Sequence, residues 1–191
     1  MRLIMAWMLC VMLLPCAGIA QAQSDATEPD PLFAAIPSAF CFMSGVGGWA
    51  TDLHIHPDGT FAGFFHDSDM GDIGEGYPEG TRYECAFHGK FTVDHQVGEH
   101  EYALKLEYLE LEKEAGQTAI VDGVRVITAG PYGMDNADAF RLYLPDRETA
   151  DLPEPFLDWM RWPYVWHETE TLQVYGLYNI GGEQGFFAES H

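Results

Sequence analysis

Positive charge is the scarcest property of this sequence. It contains 9 Lys and Arg against 30 Asp and Glu, which gives a formal net charge of −21 at pH 7. Nucleic acids and anionic lipid surfaces are bound through positive patches, so this balance argues against both kinds of partner. The same charge favours solubility and the attraction of cations.

Cysteine is also rare. Of the four cysteines, Cys10 and Cys16 lie in an N-terminal apolar segment, and Cys41 and Cys85 lie in the remainder of the chain. Two cysteines in an exported domain predict one disulfide, here Cys41–Cys85. The alternative is a pair of buried free thiols. Neither cysteine has a neighbouring histidine that indicates a nucleophilic thiol.

Catalytic and zinc motifs are missing as well. No serine lies in a Gly-x-Ser-x-Gly elbow, and no glycine-rich phosphate loop precedes a helix. His54 and His56 alternate along one strand, as zinc ligands can. A third ligand, His66, is predicted about 13 Å from His54, at roughly 3.3 Å per residue, which is too far for one metal ion. We therefore expect exposed histidines here.

Only the N-terminus carries a sustained apolar run. Residues 3–14 are apolar, follow the single positive charge of Arg2, and precede the small-x-small sequence Ala20-Gln21-Ala22. This pattern predicts a signal peptide over residues 1–22 and therefore a secreted protein without a membrane span. Anchoring through a lipidated Cys16 is the lesser alternative, because Pro15 fits a lipoprotein signal poorly.

The rest of the chain reads as one domain behind a short linker. Residues 23–32 are polar and acidic and include Pro29 and Pro31, which predicts a flexible tether. Residues 33–191 show no repeat and no second linker. Their number suits a single domain with one hydrophobic core.

Period-two alternation of apolar and polar residues predicts a mostly β domain. The predicted strands are 40–43, 49–56, 60–66, 82–93, 102–111, 121–128, 139–144, 172–180 and 185–188. One helix is predicted over 152–161, where Phe156, Leu157 and Met160 share a face after Pro153. Short antiparallel strands with one late helix predict an up-and-down β-barrel or a closed sandwich, similar in pattern to the lipocalins and other calycins.

The turn Pro57-Asp58-Gly59 fixes the register of one hairpin. A three-residue loop with a bulge at Gly59 pairs His56 with Thr60. Phe61, Gly63 and Phe65 then share a face with Leu53 and Ile55. A small barrel is either filled by side chains or holds one ligand. The candidates for its interior are Trp49, Phe61, Phe65, Tyr83, Phe87, Phe91, Tyr102 and Tyr108.

Residues 67–78, which we name the acidic segment, follow the third strand. They contain Asp67, Asp69, Asp72 and Glu75, and the glycines at 71, 74 and 76 allow tight reversals. Converging carboxylates are typical Ca²⁺ ligands, so these four predict a possible calcium site, although the EF-hand spacing is not met. The alternative is a solvated loop whose Asp side chains cap their own turns.

Several short motifs resemble a known family. They include Ser44-Gly45-Val46-Gly47-Gly48-Trp49, Asp58-Gly59-Thr60-Phe61, His66-Asp67-Ser68-Asp69-Met70-Gly71-Asp72, Gly76-Tyr77-Pro78 and Tyr175-Gly176-Leu177-Tyr178-Asn179. The chain after residue 38 resembles a family of uncharacterised secreted proteins and lipoproteins of gut-type Clostridia. The resemblance implies a secreted setting and no particular reaction.

These observations favour a secreted, non-enzymatic β-barrel module that binds a small ligand or a cation. The ligand is expected to enter at the acidic segment, with Trp49, His66 and Tyr77 as ligand-binding residues. One alternative is an extracellular hydrolase that uses the carboxylates of the acidic segment with His66. Another is a partner-binding protein that uses an aromatic cluster of Trp159, Trp162, Tyr164 and Trp166.

Overall fold

The computed structural model describes residues 28–45, 48–161 and 169–189. It contains ten strands and two short helices within those ranges. In chain order they are α1 (Pro31–Ala35), β1 (Ala39–Met43), β2 (Trp49–Ile55), β3 (Thr60–Asp69), β4 (Thr81–Gly98), β5 (Glu101–Leu111), β6 (Thr118–Val121), β7 (Val124–Thr128), β8 (Ala139–Tyr143), α2 (Glu154–Met160), β9 (Val174–Asn179) and β10 (Gln184–Glu189). The predicted signal peptide lies outside the described residues.

Eight of the strands form a closed antiparallel β-barrel, as the alternation predicted. The order around the barrel is β1, β2, β3, β4, β5, β8, β9 and β10, and β10 pairs with β1 to complete the ring. Consecutive strands are neighbours except where the chain leaves the barrel between β5 and β8. A closed barrel removes free strand edges from its own wall.

The register predicted from the Pro57 turn is confirmed. The His56 amide donates to the Thr60 carbonyl at 2.8 Å, and Ile55 pairs with Phe61. The side chains of Leu53, Ile55, Phe61 and Phe65 are buried inside the barrel. The turn is local in sequence, so its residues alone were sufficient to fix which face points inward.

Aromatic rings fill the barrel interior. Phe61 stacks on Phe91 with a 4.5 Å separation of ring centroids, and Phe91 meets Phe140 edge-on at 4.9 Å. Two glycines make room for these rings across the β3–β4 pair. A Cβ at Gly63 would lie 2.2 Å from Cζ of Phe87, and a Cβ at Gly89 would lie 2.4 Å from Cζ of Phe61. Of the two outcomes predicted for the interior, these contacts correspond to the filled one.

Helix α1 covers one end of the barrel, which we name the Pro57 end. The Asp30 side chain accepts a hydrogen bond from the Leu32 amide at 2.8 Å and so caps the helix. The Asp30 amide donates to the Pro57 carbonyl at 2.7 Å. The side chain of Phe33 is buried against Gly59, which has a φ of 80°. The tether predicted over residues 23–32 therefore extends too far, because capping and burial order the chain from Asp30 onward.

An aromatic cluster lies at the opposite end of the barrel, which we name the acidic end. The Tyr132 ring lies 4.8 Å from Trp49, 5.2 Å from Phe42 and 5.8 Å from Phe65, measured between centroids. The Thr51 hydroxyl donates to the Tyr132 carbonyl at 2.6 Å, which fixes this loop to the wall. Both ends of the barrel interior therefore meet apolar side chains.

Tyr108 is an exception among the aromatic residues predicted to lie inside. Lys90 pairs with Tyr108 whereas Phe91 pairs with Leu106, so β5 carries an extra residue, Glu107, at this point. Such a bulge reverses the side-chain alternation. Tyr108 consequently points outward and is 39% exposed, and Leu109 takes the inward position opposite Gly89.

A hairpin of β6 and β7 extends the sheet beyond the barrel. Residues 121–128 were predicted as a strand with Asp122-Gly123 as a break, and these two residues form a turn with φ values of 50° and 81°. The chain therefore reverses and produces two short strands. β7 pairs in parallel with the first residues of β4, from Thr81 to Glu84, in the position that β5 has left.

Helix α2 lies on the outer face of the barrel. The Phe156 ring packs against Phe187, Tyr178 and Tyr143 at centroid separations of 5.1, 5.6 and 4.9 Å. Trp159 contacts Phe42 edge-on at 4.6 Å, whereas Trp162, Tyr164 and Trp166 of the predicted aromatic cluster lie outside the described residues. Neither helix of the described chain has the length and apolar character to cross a bilayer.

The predicted disulfide is absent, since Cys41 and Cys85 are both free. Cys41 pairs with Asp52, Asp52 with Phe64, and Phe64 with Ala86, the neighbour of Cys85. Three strand spacings of about 4.8 Å separate the two cysteines by about 14 Å along the wall, far beyond disulfide reach. The free thiols match the alternative raised from the sequence, although only Cys85 is fully buried.

We expect Gly63→Ala to destabilise the barrel, because its Cβ has no room beside the Phe87 ring. Overpacking of this kind costs about 1–3 kcal/mol of unfolding free energy, measured by urea denaturation. Gly98→Ala is the matched control, since no atom lies within 4 Å of a Cβ there. An equal effect of the two substitutions would contradict the packing described for the interior.

Candidate functional site

The acidic segment lies at the acidic end of the barrel, opposite the Pro57 end. β3 continues to Asp69, so Asp67 and Asp69 belong to the strand, while Asp72 and Glu75 follow it. Asp67 pairs with Trp49 on one side and Tyr83 on the other. The predicted ligand residues Trp49 and Asp67 are therefore neighbours on adjacent strands.

The four predicted metal ligands are not gathered around one point. The Asp67 carboxylate accepts from the Ser68 amide at 2.7 Å. The Asp69 carboxylate accepts from the Gly71 and Asp72 amides at 2.9 and 3.2 Å, which is the self-capping turn proposed as the alternative. The Asp72 carboxylate forms an ion pair with Arg125. Glu75 is exposed to solvent.

Arg125 of β7 makes most of the side-chain contacts that hold the acidic segment in place. No pattern in the sequence predicted this role. Besides its ion pair with Asp72, it donates from Nη1 to the Tyr77 hydroxyl at 3.0 Å and from Nε to Thr81 Oγ1 at 3.1 Å. Its guanidinium carbon lies 4.4 Å from the centroid of the Tyr77 ring. One cation therefore joins the acidic segment, the hairpin and the start of β4.

Tyr77, predicted to bind ligand, is instead occupied by contacts within the protein. It forms an isolated bridge with Gly74, where a Cβ would lie 2.6 Å from the Tyr77 ring. The expectation that Gly71, Gly74 and Gly76 reverse the chain through positive φ is wrong, because none of them adopts it and Gly80 does, at 100°. Gly74 is required for the close approach of an aromatic ring.

His66 lies on the opposite face of β3 from Asp67. It pairs with Ala50 and Glu84 on the outer wall, and His54 and His56 lie on the same wall with their rings 5.0 Å apart. This arrangement separates His66 from the carboxylates with which it was expected to act. In the described ranges, no three His, Cys, Asp or Glu side chains are placed to hold a metal ion.

The outer wall carries a groove of about 610 Å³ that spans β10, β1, β2 and β3. Phe187 forms one side of the groove, and Phe64, which is 41% exposed, forms the other. Cys41, Asp52 and His54 supply polar atoms between them. The groove exists because alanines at 39 and 62 stand between these larger side chains.

The thiol of Cys41 is poorly suited to nucleophilic attack. Burial, followed by the charge of the neighbouring Asp52 carboxylate and its hydrogen bond, raises the pKa of Cys41 to about 12. The thiolate is the reactive form, so a Cys, Asp and His in one groove do not form a nucleophilic site here. Strand pairing brought these residues together, and their spacing in sequence gave no signal of it.

Comparison of the chain with family models, curated proteins and solved structures found no match. The resemblance to the clostridial family therefore stays a prediction from the quoted motifs. The site must be interpreted from its own chemistry.

We expect Arg125→Met to loosen the acidic segment and the hairpin together. The substitution keeps the aliphatic stem but removes the donors to Asp72, Tyr77 and Thr81, at a cost of about 1–3 kcal/mol in unfolding free energy. Hydrogen exchange of the amides of residues 70–80 and 118–128 should accelerate. Lys105→Met is the control, because Lys105 is 63% exposed, lies outside both segments, and forms a surface ion pair with Asp94 of the kind that contributes little to stability.

A thermal melt in EDTA and then in millimolar Ca²⁺ tests the predicted calcium site. Calcium bound through Asp67, Asp69, Asp72 and Glu75 at about 100 times its Kd should add about 2.7 kcal/mol, a rise of several degrees in Tm. Replacing Asp67 and Asp69 by Asn should abolish the rise. An unchanged Tm in the wild-type protein would contradict the calcium site and leave Asp67 and Asp69 with their local hydrogen bonds and Asp72 with its ion pair to Arg125.

Proposed function

We propose that the chain is a secreted, non-enzymatic binding module that takes a small cationic ligand with an apolar or aromatic body. The ligand occupies the outer groove between Phe64 and Phe187, and the barrel serves as the rigid frame. This differs from the expectation of a ligand inside the barrel. The observation that carries the proposal is the groove itself, with an exposed aromatic wall and a carboxylate beside it.

The filled interior supports a site on the outside. The rings of Phe61, Phe87, Phe91 and Phe140 are buried in mutual contact, so an interior ligand would have to displace them. Core side chains packed in this way resist displacement, because every lost contact between rings must be replaced by the ligand.

The chemistry of the groove supports a cationic ligand. Asp52 pairs directly with Phe64 across β2 and β3, which puts a carboxylate next to an exposed aromatic ring. The net charge of −21 raises the local concentration of cations around the whole molecule. A ligand with one positive group and one aromatic ring can therefore satisfy both neighbours at once.

The state of Cys41 supports binding over catalysis. Its thiol stays protonated at neutral pH, since its pKa lies at about 12. A thiol nucleophile also needs a histidine as its base, and His54 lies in the same groove. The group beside the thiol is the Asp52 carboxylate, however, and its negative charge disfavours the thiolate.

Titration with tryptamine and with indole-3-acetate tests this proposal. The two molecules share an indole ring and carry opposite charges at neutral pH, so we expect saturable binding of tryptamine and much weaker binding of indole-3-acetate. Phe64→Ala and Asp52→Asn should each weaken tryptamine binding roughly tenfold, as measured by calorimetry.

Tyr108→Ala is the matched control for Phe64→Ala. Tyr108 is exposed to a similar extent, 39% against 41%, and lies on β5, beyond β4 from the groove. Its loss should leave tryptamine binding unchanged. Equal binding of both indoles, no binding of either, or binding that survives both groove substitutions would refute the proposal.

A further inference from the structure

Strand β6 forms an open edge of the sheet, outside the barrel. It ends the strand order and pairs with β7 alone, and in the described ranges no strand pairs with its other side. The barrel does not need the hairpin, because β5 pairs directly with β8. The hairpin therefore adds a free edge to a fold whose own closure removes edges.

The hydrogen-bonding groups of this edge can be assigned from the turn. In a two-residue hairpin the residues that flank the loop, Val121 and Val124, form a hydrogen-bonded pair, and the next such pair is Ala119 with Val126. The amides and carbonyls of Thr118 and Ile120 therefore point away from β7. They present two donors and two acceptors at the spacing of a neighbouring strand.

The edge lacks the features that usually protect strand edges. All four side chains of β6, Thr-Ala-Ile-Val, are exposed, with Ile120 at 56% and Val121 at 50%. The strand contains no proline, no lysine and no bulge, the devices that block pairing with another chain. Its β-branched residues are typical of a strand that pairs with another strand on each side.

A second free edge in the same protein shows the contrast. β3 stops pairing with β4 at Lys90, so β4 from Thr92 onward is paired by β5 alone within the described ranges. This edge carries two irregularities, at Val93/His95 and Gln96/Gly98, and Asp94 forms an ion pair with Lys105 and a hydrogen bond with His95. Irregularity and charge protect that edge, whereas β6 has neither.

The hairpin is held rigidly, which lowers the entropic cost of binding. Arg125 joins β7 to Asp72 and Tyr77, and the Glu79 amide donates to the Gly123 carbonyl at 3.0 Å. Ile120 lies against Gly76, where a Cβ would come within 3.2 Å of its Cδ1. An edge that is already ordered pays little to accept another strand.

The charge around the edge selects the partner. Three carboxylates lie within a few residues of β6 in the sequence, at Glu112, Glu114 and Asp122. Glu79 contacts the turn of the hairpin at Gly123, and the charge of Arg125 is paired with Asp72. Lys113 is the opposing charge nearby in sequence. A second copy of this chain would bring two molecules of net charge −21 together, which opposes self-pairing.

We propose that β6 binds an extended polypeptide segment that alternates apolar residues with Lys or Arg, which adds to the sheet as a further strand. Its backbone pairs with Thr118 and Ile120. Its apolar side chains contact Ile120 or Val121, and its basic side chains meet the surrounding carboxylates. This mode of recognition takes affinity from the main chain and specificity from alternate side chains.

Selection from a display library of random heptapeptides on the immobilised protein tests this proposal. We expect enriched sequences in which apolar residues alternate with Lys or Arg, and binding that weakens as NaCl increases. In hydrogen exchange, an enriched synthetic peptide should protect the Thr118 and Ile120 amides. Protection of amides on another element, enrichment of neutral or acidic peptides, or no enrichment would overturn the proposal.

Two substitutions test binding at the β6 edge without disturbing the fold. Ile120→Pro removes the outward amide and leaves the pairs with β7 intact, and Val121→Lys introduces a protecting charge. Each should weaken peptide binding by about tenfold or more with little change in Tm. Val97→Lys is the matched control, because Val97 is 46% exposed on the protected edge and its substitution should leave binding unchanged.

The oligomeric state is measured in the same series by light scattering. A monomer that binds peptide is the expected result. If the protein is a dimer and Ile120→Pro converts it to a monomer, β6 pairs with a second copy of the chain, and the proposal of a cationic peptide partner is wrong. Peptide binding that survives both β6 substitutions would remove β6 as the site.

Discussion

The reciprocal packing of two phenylalanines on two glycines across β3 and β4 is the contact on which the barrel depends. Phe61 lies opposite Gly89, and Phe87 lies opposite Gly63, so each ring occupies the space that a side chain would take on the facing strand. The same strand pair is one of the eight pairs that form the closed ring. Because the rings occupy the interior there, the barrel closes as a solid body, and recognition is left to its surface.

Filling the interior changes where chemistry can occur. The outer groove, the acidic segment and the β6 edge all lie on the outside of the wall or at its end, and each arises from a local departure from a regular barrel. Small residues at 39 and 62 open the groove, the β3–β4 connection forms the acidic segment, and the excursion between β5 and β8 produces the hairpin. The regular part of the fold provides rigidity for these three.

The sequence was informative wherever structure depends on neighbouring residues. The Pro57-Asp58-Gly59 turn fixed the β2–β3 register, and alternation located most strands of the barrel.

Prediction from the sequence failed where segments distant in the chain meet. Arg125 and Asp72 are 53 residues apart and meet only because β7 pairs in parallel with β4. The disulfide prediction failed for the same reason, since the distance between Cys41 and Cys85 is set by the strand order of the wall. The bulge at Glu107, which turned Tyr108 outward, has no marker in the sequence.

The bond between Asp30 and Pro57 gives the molecule an orientation. Because the Asp30 amide donates to the Pro57 carbonyl, Asp30 and the helix that it caps are fixed at the Pro57 end. The acidic segment and the tip of the hairpin lie at the far end of the barrel axis. The two ends of the barrel therefore differ in kind: a capped helix closes one of them, and the carboxylates of the acidic segment give the other its charge.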